Sequence, residues 1–198
     1  MNNAIFSLVL ALLLASPTIV LAEEGQGKAF RQEQKAKVQG HRKEQQEKNK
    51  EFRAGLKDMK PEDRKKTMGE HRETRYQENK AFHQKTHERN MSFLKEKLAN
   101  NKKLNDAQKT ELINFFESQY QENVSYREAK HNENIAFFEK IANDSSLTQE
   151  QKKAAIQGHR QAQKEENMKH REEEHAKKKA EREKIHSEVK AQNPAAAK

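Results

Sequence analysis

The sequence predicts an all-α fold: about four long antiparallel helices, joined by short turns into a thin, elongated protomer. Three observations predict it. Helix breakers are scarce, with 6 Gly and 3 Pro in 198 residues. The remainder is dominated by Glu, Lys, Gln, Arg and Ala, the residues that lose least on entering a helix, and no stretch alternates as a strand would. Two copies of one helix-start motif stand in phase within an internal repeat.

The motif is Leu147-Thr148-Gln149-Glu150-Gln151, with a second copy at Leu104-Asn105-Asp106-Ala107-Gln108. In each, a hydroxyl or amide at the cap position can accept from an amide one turn inside the helix. The Gln three residues later can reach back to the cap's own amide. Thr148 pairs with Gln151 in this reading and Asn105 with Gln108. The stretches before them, 99–103 and 142–146, have turn composition.

The phase comes from a repeat of about 44 residues. Tyr76-Gln77-Glu78-Asn79 recurs as Tyr120-Gln121-Glu122-Asn123 and, degraded, as Lys164-Glu165-Glu166-Asn167, while His87, His131 and His175 keep the same step. A fainter earlier unit begins at Met59-Lys60-Pro61. The repeats place helices near 28–57, 61–99, 106–143 and 148–190.

In the second helix His87, Met91, Leu94 and Leu98 form one stripe, and the third repeats it as His131, Ile135, Phe138 and Ala142. Leu112, Phe115 and Phe116 open the third helix, and Ala154, Ala155 and Ile156 the fourth. The first helix offers Phe30, Val38, Phe52 and Leu56. Residues 160–184 are nearly free of apolar side chains and read as a projecting, solvated helix carrying Glu173–Lys177 and Glu174–Lys178 pairs. The last residues, 191–198, read as a disordered tail. So polar a chain cannot bury a large core, and its apolar strips favour pairing with another copy.

Residues 1–22 carry no charge, hold the apolar run Ile5–Ala15 and end in Val20-Leu21-Ala22. They read as a secretory signal peptide cut after Ala22, which sends the chain to an extracytoplasmic compartment. Residues 23–190 form a single helical region. All 40 Lys and Arg and all 31 Asp and Glu follow the leader, so the net charge of +9 belongs to the mature part. Cysteine is absent, so the fold needs no disulfide. Basic and acidic residues alternate without forming one basic stripe, which with the leader argues against nucleic acid as a partner. No catalytic constellation is present.

Leu104 to Gln108 and Leu147 to Gln151 resemble the paired LTxxQ motifs of the Spy/CpxP family of periplasmic envelope-stress proteins. The leader, the basic charge and the motif spacing agree with that resemblance, which spans about residues 60–165. It implies a four-helix protomer, a dimeric cradle in the periplasm, and ATP-independent chaperone activity toward unfolded envelope proteins, with no enzymatic reaction and no obligatory cofactor. Some relatives restrain a sensor histidine kinase or bind zinc. Spaced aromatics on a cationic surface suit weak, sequence-tolerant client contacts, and Phe115, Phe116, Tyr120 and Tyr126 are the candidates.

Two alternatives stand beside it. His83 and His87, one helical turn apart, could share a zinc or copper ion in a metal-binding stress or resistance protein. A structural or regulatory role, with the helices as an extracytoplasmic spacer or acting on a stress sensor, is the other. The basic periplasmic holdases of the Skp type would need a strand-built body, for which the sequence has no candidate.

Overall fold

The computed structural model describes residues 24–192 and contains four α-helices: α1 Glu24–Gly55, α2 Pro61–Ala99, α3 Asp106–Asn143 and α4 Gln149–Gln192. No strand occurs among the described residues. These are the four predicted helices, with α1 beginning a turn earlier. Ala191 and Gln192, expected in a disordered tail, continue α4; the leader at 1–22 and the rest of the tail lie outside the described residues. The helices run 32, 39, 38 and 44 residues, or about 48–66 Å at 1.5 Å per residue. None is long and apolar enough to cross a membrane.

The chain divides after Asn101 into two compact units, the hairpin α1–α2 and the hairpin α3–α4. Their helix starts differ. Asn105 Oδ1 accepts from the Gln108 amide at 2.9 Å while Gln108 Oε1 accepts from the Asn105 amide at 3.1 Å. Thr148 and Gln151 make the same reciprocal pair at 3.2 and 2.8 Å. α2 has no side-chain cap on Lys60. Pro61 supplies the preset backbone of a first helical residue, and Arg64 Nη2 ties the turn by donating to the Lys57 and Met59 carbonyls at 3.3 and 3.0 Å.

Few apolar side chains are buried: Met91, Leu98, Leu104, Ile141 and Ile185. Each hairpin is instead held by a ladder of stacked rings. In the first, Phe30 lies on Phe93, His41 on Phe82 and Phe52 on His71, with centroids 3.6–3.9 Å apart and planes within 4°. In the second, Tyr126 lies on His170 and Phe137 on His159, at 3.8 and 3.9 Å. Along every helix these positions are eleven residues apart: 30, 41, 52; 71, 82, 93; 126, 137; 159, 170. Eleven residues make three turns at 3.67 residues per turn, so an eleven-residue pattern keeps one face on its partner over the whole length.

A second rule accompanies the stacking. Each ring that can donate reaches the Asn three residues before the ring it lies on. His41 Nε2 meets Asn79 Oδ1 at 2.9 Å, His71 meets Asn49 at 3.0 Å, His159 meets Asn134 at 2.9 Å and His170 meets Asn123 at 3.2 Å. The Tyr126 hydroxyl donates to Asn167 at 3.1 Å. Four residues after positions of this register lie further buried side chains: Gln34 and Gln45 in α1, Gln108, Gln119 and Ile141 in α3, and Glu174 and Ile185 in α4. Glu174 accepts from Asn123 at 2.9 Å and from Lys178 at 3.5 Å.

This seam corrects two sequence expectations. Residues 160–184 do not project: they pair with α3 through His170, Glu174 and the Lys177–Glu122 ion pair, and the pairing continues to Gln108–Glu188. Their partners are rings, amides and charges, which an apolar pattern does not register. Lys177, expected to pair with Glu173, reaches across to Glu122. In the first hairpin the stacked rings of α2 are His71, Phe82 and Phe93; of the stripe His87, Met91, Leu94 and Leu98, Met91 and Leu98 are buried.

The ring–Asn rule also explains a defect. Phe30 occupies a position where a histidine would donate to Asn90, and Asn90 Oδ1 is buried without a partner. Asn79→Leu, which strands the His41 N–H, should destabilise the protein by about 1–3 kcal/mol, whereas Asn90→Leu should be neutral or stabilising. Urea denaturation of the two variants checks this, and equal losses would refute the rule. For the caps, Thr148→Ala should cost about 1 kcal/mol and Gln149→Ala much less, read by the same denaturation series.

Candidate functional site

One layer of the ladder lacks a second ring. Eleven residues before Tyr126 stands Phe115, and eleven after His170 stands Glu181. Phe115 thus has a carboxylate where the layers toward the turn, Tyr126 and Phe137, have a histidine. The two residues line a shallow surface groove with Asp106, Ala107, Thr110, Glu111, Asn114 and Ser118. Phe116 meets Phe115 edge-on at 5.4 Å, so two half-buried rings stand at right angles on one end of α3. Burial, reinforced by the Glu111 charge, pushes the Glu181 carboxyl above the usual carboxylate range. Its Oε1 has no hydrogen-bond partner. Lys184 neutralises Glu111 beside it.

Of the four client-contact candidates, Phe115 lines the groove, and Phe116 stands edge-on beside it. Tyr120 is half-buried farther along α3. Tyr126, the fourth candidate, is a half-buried residue of the seam: one face lies on His170, its hydroxyl is bonded to Asn167, and the Lys130 ammonium stands 5.9 Å from the ring centre. Burial raises its phenol above the ordinary tyrosine value. Tyr126 is a seam residue because it shares the eleven-residue register, a signal present in the sequence and missed when only apolar side chains are tracked.

The motif leucines sit next to their caps, Leu104 buried and Leu147 half-buried. His83 and His87 are both half-buried on α2, and His83 stands edge-on to Phe82 at 5.8 Å. Among the described residues no three His, Cys, Asp or Glu side chains group closely enough to hold a metal ion. The ladder histidines are not among the sequence candidates. Three of the four, His71, His159 and His170, are legible in one eleven-residue frame with Phe82, Phe93, Phe115, Tyr126 and Phe137, and His41 in another with Phe30 and Phe52.

No family model, curated protein or solved structure matches this chain.

Two ladder imidazoles have shifted titration. Burial, with the Arg75 cation second, holds His71 below the ordinary histidine range. Burial holds His170 down as well, against the opposing pull of Glu174 and Glu173. The unfolded chain therefore takes up these protons near pH 6.5, the folded chain only at lower pH. Below pH 6.5 the unfolded state binds more protons, so this stability is complete above that value and is lost as the pH falls through the window beneath it. The melting temperature should drop as the pH falls below about 6.5. A His170→Asn variant should start lower and show a flatter profile, and an unchanged slope would exclude the imidazole as its source.

Proposed function

We propose that this protein is an ATP-independent periplasmic chaperone that binds unfolded envelope proteins and limits their aggregation under stress, as its likeness to the Spy/CpxP motifs implies. The observation that carries the reading is Phe115, an aromatic in the seam register with no ring across from it, lining a groove rimmed by carboxylates, with Phe116 edge-on beside it. Such a groove accepts an apolar or aromatic side chain without reading a defined sequence. The net charge of +9 adds attraction that acts at a distance on acidic unfolded segments and is screened by salt. Contact by two rings is weak enough to release a client without nucleotide.

A spacer reading is favoured by a different observation. Five ring pairs lie within the hairpin seams, which makes each hairpin a long, internally braced rod. The two readings part in an aggregation assay with a denatured model client and no nucleotide. The mature protein should suppress light scattering near stoichiometric amounts, and Phe115→Ser with Phe116→Ser should remove most of that effect while far-UV circular dichroism stays helical. Full suppression by the double variant would remove the groove from the mechanism. No suppression by the unmodified chain would leave the spacer.

A further inference from the structure

The two hairpins close on turns of different kinds. Between α1 and α2 the ring positions step from Phe52 to His71, nineteen residues, three short of two elevens. Pro61 follows that turn immediately. A continuous helix through it would bury a proline in the helix interior and throw the two half-seams out of register. Between α3 and α4 the register does not break. Phe137, Thr148 and His159 are eleven apart, and residues 144–148 contain neither Gly nor Pro. Thr148 therefore stands midway between the two members of every layer in this hairpin: Phe137 and His159, Tyr126 and His170, Phe115 and Glu181.

We infer that the α3–α4 seam is also an interface for a second copy of this chain, reached when residues 144–148 become helical and α3 and α4 join into one helix. Two such helices lie antiparallel about a two-fold axis at Thr148, and every layer of the hairpin re-forms between copies: Phe137 on His159, Tyr126 on His170, Asn123 against Glu174. Exchange of this kind is a low-cost route to a dimer because each layer that opens within one chain closes again between two. The new central layer would hold Thr148 and Ser145, small polar residues at the positions that carry rings and Asn elsewhere. What keeps the hairpin closed is local. Asp144 Oδ1 accepts from the Ser146 amide at 2.9 Å, and Thr148 and Gln151 form their reciprocal cap.

The chain has no cysteine, so introduced thiols report without background. Glu122 and Lys177 form an ion pair across the seam with side chains 44 % and 50 % exposed, and replacing them leaves the ring layers intact. Full-length Glu122→Cys protein is mixed with Lys177→Cys protein and treated with a short bis-maleimide. The expected result is a cross-linked heterodimer. Its yield should rise several-fold when Asp144→Ala and Thr148→Ala remove the closing bonds, and should be lost when three alanines inserted after Ser146 shift one half-seam against the other. Protein carrying both cysteines reports hairpin closure within one chain and controls for folding of the inserted variant. The proposal is overturned if the doubly substituted chain cross-links internally while the mixture yields no heterodimer, or if the three-residue insertion leaves the heterodimer yield unchanged.

Discussion

Everything in the described structure depends on one constraint: two helices of very polar sequence must present the same small set of side chains to each other every three turns. The solution is a flat ring lying on a flat ring, with an asparagine beside it. The stack supplies apolar contact area and aromatic attraction, about 0.5–1.5 kcal/mol beyond burial. The asparagine accepts the N–H or O–H that would otherwise be stranded, contributing about 0.5–1.5 kcal/mol more. Repetition makes the modest sum sufficient, since each layer fixes the register of the next. The few buried aliphatics, Ile141 and Ile185 among them, fill positions that amides and a carboxylate occupy in other layers.

Glu174 shows what such a seam tolerates. A carboxylate buried to 5 % exposure is held by Asn123 and Lys178, and burial lowers the Lys178 ammonium in turn. A buried pair of this kind contributes little net stability but is costly to break from one side. Register is read by the bond across the seam: α4 sliding along α3 would take Glu174 away from Asn123, while the Glu174–Lys178 pair, both on α4, would travel together. Glu181, one layer away and lacking such a partner for Oε1, marks where that discipline ends and the groove begins.

Much of this was legible in the sequence. The helices followed from composition, and the capping pairs at Asn105 and Thr148 followed from residue type and spacing. Pro61 announced a start with no side-chain cap. The 44-residue repeat was visible, but its factor of eleven was not, because a search for apolar stripes weighs Leu and Met above His and Asn. That weighting drew attention to His87, Met91, Leu94 and Leu98, left 160–184 without a partner and missed the place of Tyr126 in the seam. A reading that scores rings and amides together recovers the ladder from residue numbers alone. The groove at Phe115 is harder, since it is defined by the ring that position 181 lacks.

The capped turn between α3 and α4 has a consequence for how the chain folds. Once Thr148 and Gln151 fix the start of α4, the pairing of Phe137 with His159 closes a short local loop, and the entropy of bringing the ends of that loop together is met largely at that step. Each later layer, Tyr126 with His170 and then Gln108 with Glu188, adds contacts without closing a new long loop. Assembly from the turn outward resembles a zipper, fast because its first contacts are local. Its free end is the last part to close and the first to open, and that end carries Phe115.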